Sequence, residues 1–116
     1  MARRLCAISV DLDEVHLYHA LHGLTASGQA AHAVYERAVP RFRDLAAAER
    51  FPLTLFVVGA DLERPQNARL LREMGEHGHE LGNHTFDHHY DLTRRSEADI
   101  RAQIARANEA PFGARP

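Results

Sequence analysis

The feature that most constrains this chain is an alternation. Three short apolar runs, each closed by polar residues, are separated by longer stretches with helical spacing. Residues 5–10 are apolar, carry β-branched Ile8 and Val10, and stop at Asp11, which reads as a mostly buried strand. Residues 53–58 give the strongest strand signal, and 79–85 a short third strand that runs into a histidine-rich loop. Between the first two strands, 15–24 reads as a short helix or a loop, and Thr25, Ser27 and Gly28 supply turn chemistry. Residues 29–49 place Ala33, Val34, Ala38, Phe42, Leu45 and Ala46 on one helical stripe, and Pro40 inside it predicts a kink or two helical pieces. Pro65 opens a helix with Ala68, Leu70, Leu71 and Met74 on its apolar side, ending near Gly78. Thr93 and Ser96 are N-cap candidates for a last helix reaching about Asn108. This order predicts an α/β fold with parallel strands joined by right-handed crossovers. Ile8, Val10, Leu55, Val57 and Leu81 are expected in its core. Parallel sheets carry their chemistry at the carboxyl ends of the strands. That rule selects Asp11-Leu12-Asp13 and residues 83–89.

Composition removes several function classes. The 116 residues hold 14 Arg, no Lys and 16 acidic residues, a net charge of −2, which excludes nucleic-acid binding by a basic excess. The single cysteine excludes an internal disulfide framework and Cys-rich zinc modules, and Cys6, within an apolar run, is expected to be a buried thiol. The longest apolar run, 55–60, is far short of the roughly 20 residues of a membrane span. The start, MARRLCAISVDLDE, reaches Asp11 before a signal-type apolar region of roughly 7–15 residues is complete, so the chain is expected to be cytoplasmic.

Two constellations could carry chemistry. Asp11 and Asp13 are two apart, so in an extended segment both carboxylates face one side while Leu12 turns into packing. Such a pair repels unless a cation sits between the groups, and it suits one metal ligand beside one general base. Asp is also common at strand ends for its turn chemistry. His84 and His88 frame HTFDH, and imidazoles at this spacing converge on a helix face or in a turn as good ligands for Zn2+. No Glu follows the first His, which excludes the HExxH pattern. His77, His79 and His89 are neighbours, and not all can be ligands. A carboxylate plus two imidazoles leaves room for water, the layout of a catalytic site. His16, His19 and His22 recur every three residues and could line a helix face or the rim of the site, while His32 reads as solvated. Asn83 and Asp87 are candidates to orient a ligand imidazole, and Tyr90 reads as packing.

The segments ISVDLDE, LTLFVVG and HELGNHTFDHHYDLT, the last followed by a helix, resemble the polysaccharide deacetylase family, the NodB-homology group of carbohydrate esterase family 4. The resemblance spans about residues 5–107. It implies a distorted (β/α) barrel with parallel strands, of which this chain is the N-terminal portion, since a closed barrel typically needs ~200–250 residues. It implies Asp11 as catalytic base, and Asp13, His84 and His88 as ligands of a divalent metal ion, Zn2+ by ligand type. The implied activity is hydrolysis of a non-peptide C–N bond, removing N-acetyl groups from a carbohydrate or related acetamide. The family's first motif has adjacent aspartates. The D-x-D spacing here resembles a branch with peptidoglycan-deacetylase-like and cyclic-amide-hydrolysing members. A cyclic imide or ureide hydrolase with the same metal site is therefore an alternative, as is a non-catalytic metal-binding relative. The partner implied is a glycan or small-molecule substrate, with no nucleic acid, no membrane and no oligomeric state specified. The family's R-x-P-x-G motif is matched only by the P-x-G frame of Pro111-Phe112-Gly113, with Glu109 where Arg belongs. That motif and a late general-acid His are expected beyond Pro116. Residues 1–116 are thus expected to be a partial domain, inactive and poorly stable alone.

Overall fold

Three four-residue strands, β1 (Ser9–Leu12), β2 (Thr54–Val57) and β3 (Glu80–Asn83), pair in parallel in the order β1-β2-β3. The computed structural model describes residues 3–110, so the Pro111–Gly113 frame lies outside the described residues. In register, Val10, Leu55 and Leu81 lie side by side, and Leu12, Val57 and Asn83 form the rung nearest the carboxyl ends. Leu55 and Val57 are fully buried while Thr54 and Phe56 alternate with them at partial exposure, the period-two pattern of a sheet with one covered face.

That face is covered by helices. α1 (Val15–Leu21) follows β1, and a π-helical segment Val34–Ala38 runs directly into α2 (Val39–Glu49). α3 (Pro65–Glu76) joins β2 to β3, and α4 (Glu97–Glu109) follows β3. Tyr35, Val39 and Ala46 pack with Leu55 and Val57 from one side, and Leu62, Leu71 and Met74 complete the cluster. Each large aliphatic so buried contributes roughly 1.5–3 kcal/mol. Ser96 caps α4, its hydroxyl accepting from Asp99 N–H at 3.1 Å, and Gly78 takes φ 88 after α3, both as the sequence predicts.

Within the stretch 29–49 the hydrogen-bond pattern changes from π to α at Ala38–Val39 while the backbone stays helical, and Pro40, which has no N–H to offer the preceding turn, sits just past that change. The first strand differs from expectation. It occupies Ser9–Leu12 instead of 5–10, and Leu5 is 82% exposed, Ile8 41%, and Cys6 exposed too. The reason is pairing. Thr54 N–H donates to Ile8 C=O at 3.0 Å where β2 begins, so residues upstream have no neighbouring strand. Downstream, Leu12 is 1% exposed in the core and draws the strand past Asp11, whose side chain is exposed. Among the described residues no helix is long and apolar enough to cross a membrane.

Candidate metal centre

The carboxyl ends of β1 and β3 meet at one group of side chains. Asp13 follows β1 directly and His84 follows β3, where His84 N–H donates to Val57 C=O at 3.0 Å and prolongs the sheet by one rung. His84 Nε2 lies 3.1 Å from Asp13 Oδ1, and His88 Nε2 lies 3.3 Å from the same oxygen. The three donor atoms fall within 4.8 Å of one another, and all three residues are partly buried. Among the described residues this is the one such group of three.

The loop that carries both histidines is shaped by its own side chains. Asn83 Oδ1 accepts from Thr85 N–H at 2.8 Å, and Thr85 Oγ1 accepts from His88 N–H at 3.2 Å. These turns hold Thr85 at φ 62 and His88 at φ 51, left-handed conformations uncommon for residues other than glycine. The loop is also pinned from outside. Gly59 N–H and Ala60 N–H donate to Thr85 and Phe86 C=O, both at 2.9 Å. Gln103 on α4 accepts from Asp87 N–H at 2.8 Å and donates to Asp87 Oδ2 at 2.7 Å. Arg106 stacks over the Phe86 ring at 3.8 Å.

Asn83 and Asp87 therefore act differently from the imidazole-orienting role expected of them. Asn83 Nδ2 donates to Ile104 C=O at 2.9 Å and to Asn108 Oδ1 at 2.7 Å. Both residues fasten the loop to α4. The Tyr90 and His88 rings pack nearly perpendicular, with centroids 4.9 Å apart. Gly59 makes the fastening possible, because a Cβ there would lie 2.7 Å from Phe86 Cδ2 and 3.1 Å from Ala107 Cα. Gly59→Ala is expected to destabilise the chain by about 1–3 kcal/mol and to weaken metal binding with it. Urea unfolding and metal titration of the variant check both.

The donor set fits a divalent cation. Asp13 Oδ1 is buried without a hydrogen-bond partner although two imidazole nitrogens stand beside it, so neither ring aims an N–H at that oxygen. Donors about 2.0–2.1 Å from a tetrahedral ion lie roughly 3.3 Å apart. The two carboxylate–imidazole separations, 3.1 and 3.3 Å, have that size. Asp11 stays outside this group. His16, His19 and His22 also stay outside. His19 Nδ1 lies 2.9 Å from Val15 C=O, His22 ends α1, and His16 Nε2 is 3.9 Å from Asp61 Oδ1. His79 accepts from Leu53 N–H at 3.1 Å, at the opposite end of the sheet, and burial lowers its pKa.

Three surrounding residues escape a reading of the sequence alone. Glu14 is 1% exposed, and its carboxylate accepts from Val15 N–H at 2.7 Å, Val34 N–H at 3.2 Å and Tyr35 N–H at 3.4 Å. It thereby caps α1 and the π-helical segment together. Asp61 is 6% exposed and Oδ2 has no partner; burial first, then the charges of Glu14 and Asp13, push its pKa to about 7. The Tyr18 hydroxyl donates to Asp13 Oδ2 at 3.4 Å. The charge of Asp13, then burial, raises its pKa, which keeps the hydroxyl a donor at neutral pH.

Comparison with known proteins returns a consistent set. A family model described as polysaccharide deacetylase matches residues 31–111. A chitooligosaccharide deacetylase of Sinorhizobium fredii is 42% identical over 72 residues, covering 61% of this chain and 32% of that protein. A peptidoglycan-N-acetylmuramic acid deacetylase of Bacillus subtilis is 35% identical over 74 residues, covering 63% and 27%. A chitooligosaccharide deacetylase of Bradyrhizobium is 34% identical over 77 residues, covering 66% and 34%. The chain thus spans about a third of the length of the curated relatives it matches. No solved structure matches it. The family match includes His84 and His88 but begins after Asp13, so it is the geometry that joins the carboxylate to the two histidines.

Proposed function

Since the chain belongs to the polysaccharide deacetylase family, we propose that Asp11, Asp13, His84 and His88 form the reacting end of a metal-dependent hydrolase that removes N-acetyl groups from a carbohydrate. The observation that carries this reading is the approach of both imidazole Nε2 atoms to one unpartnered carboxylate oxygen of Asp13. Asp13, His84 and His88 would hold the ion. When bound, a divalent ion supplies a Lewis acid that acidifies water and polarises an amide carbonyl. By ligand type Zn2+ suits the site.

The remaining work falls to the chain. Asp11, exposed at the end of β1 and outside the ligand group, takes the proton of the attacking water as general base. The left-handed His88 and the pinned loop hold the ligands before the ion arrives, so little ordering is left to binding. Relatives named for deacetylation of chitooligosaccharide and of peptidoglycan favour an N-acetylated glycan over a cyclic imide. The same reading extends the parallel sheet to the first part of a distorted (β/α) barrel. The parallel order β1-β2-β3 and the greater length of the relatives support it.

Metal removal tests the function. In a protein carrying the complete domain, acetate release from N-acetylglucosamine oligomers is expected to need a divalent ion, to stop after chelation and to return on adding Zn2+. Release that survives exhaustive chelation would overturn the reading.

A further inference from the structure

We propose that Tyr18 is a positioning residue of the metal centre, holding Asp13 through Oδ2 so that Oδ1 alone is offered beside His84 and His88; this rests on the metal reading above. The two oxygens of Asp13 have different surroundings. Oδ1 lies 3.1 and 3.3 Å from the two imidazole Nε2 atoms, while Oδ2 meets the Tyr18 hydroxyl at 3.4 Å. A carboxylate free to turn can give both oxygens to a cation, which raises the coordination number and fills the position that water or substrate needs. A neutral hydroxyl on Oδ2 occupies that oxygen without competing for the ion. At 3.4 Å the contact is long for an O–H···O bond.

The placement of Tyr18 is set by the core. It stands in the second turn of α1, and α1 starts where the Glu14 carboxylate caps Val15 N–H. Glu14 is itself fixed by the N–H groups of Val34 and Tyr35 on the far side of the chain's first long connection. The buried capping residue therefore fixes the start of the helix that carries the hydroxyl to Oδ2. Tyr90 provides an internal control, because its contact with the centre is a perpendicular ring packing against His88.

The test is Tyr18→Phe in the full chain, with Tyr90→Phe beside it. Zn2+ affinity is measured by chelator competition, and the Co2+-loaded chain is read by visible absorption. Tyr18→Phe is expected to weaken Zn2+ binding by about 10–100-fold. It should also change the Co2+ band, since Oδ1 is no longer held in one orientation beside the two imidazoles. Tyr90→Phe should change neither. Tyr18 is 53% exposed, so the loss of one hydroxyl is not expected to unfold the chain, and circular dichroism of the metal-free variant checks this. A Tyr18→Phe affinity within twofold of the parent, with an unchanged Co2+ spectrum, would overturn the role of Tyr18 alone. A parent chain that binds no stoichiometric Zn2+ would overturn the metal centre and Tyr18 with it.

Discussion

Replacing His84 or His88 by Ala is expected to abolish stoichiometric Zn2+ binding, whereas Asp11→Asn, in the complete enzyme proposed above, is expected to keep the ion and lower deacetylation by about 10²–10⁴-fold. The asymmetry follows from position. Both imidazoles stand at 3.1–3.3 Å from Asp13 Oδ1, and removal of either leaves two donors, too few to close the site. The loss should exceed the roughly 10–100-fold that follows removal of an outer partner. Asp11 lies outside the ligand group, so an amide there costs a proton acceptor and no ligand. The left-handed backbone of His88 adds a second readout. A non-glycine residue held there costs on the order of 1–3 kcal/mol. His88→Gly should therefore be more stable than His88→Ala in the metal-free state, by about 1 kcal/mol, the reverse of the usual order. Isothermal titration with Zn2+ and urea unfolding of the variants measure both effects. Retention of Zn2+ in the 84 and 88 variants, with its loss on changing His16, His19 and His22 together, would move the site to α1.

How far the sequence speaks depends on whether the determining partner is near in the chain. His84 and His88 are legible because their loop is built by neighbours, with Asn83 and Thr85 supplying the turns. The cap of α4 is legible for the same reason, since Ser96 and Asp99 are three residues apart. Leu12 is also legible, because turning into the core between two outward aspartates needs only the period of a strand. What fails is non-local. The run at 5–10 is apolar enough for a strand, but pairing depends on where β2 begins, more than forty residues on, and the strand slides to Ser9–Leu12. Cys6 is exposed by that slide. Nothing local marks Glu14 as a buried cap, because its acceptors find N–H groups twenty and twenty-one residues away. Asn83 and Asp87 stand beside His84 and His88 in the chain, but their partners sit on α4, sixteen to twenty-five residues downstream.

Asp61 belongs to the illegible set, and it carries the other large expectation: the metal-free chain should lose stability as pH rises from about 4 to about 7. Burial is the main cause of its displaced pKa, followed by the negative charges of Glu14 and Asp13; the Tyr35 hydroxyl and Arg64 act in the opposite direction. His16, 3.9 Å away and half-exposed, is the other titratable group facing it. The folded carboxyl titrates near pH 7 and the unfolded one near 3.8. Below the lower value both states hold the proton and the group is neutral to stability. Between the two, the folded state binds a proton that the unfolded state has released, so the folded state falls behind as pH rises. Above pH 7 the loss is complete, on the order of 4 kcal/mol at 1.36 kcal/mol per pKa unit. Asp61→Asn keeps the shape and removes the charge. It should stabilise the chain strongly at pH 8 and barely at pH 4, and the difference between the two chains, taken by urea unfolding across this range, isolates Asp61 from the histidines. A cation held by Asp13 offsets one of the two negative charges that raise the Asp61 pKa. Zn2+ should then draw the transition in the parent–variant difference to lower pH, since the pH-dependent binding of the ion to the histidines is common to both chains. A parent–variant difference that stays flat from pH 4 to 8 would mean that Asp61 is ionised in the fold throughout.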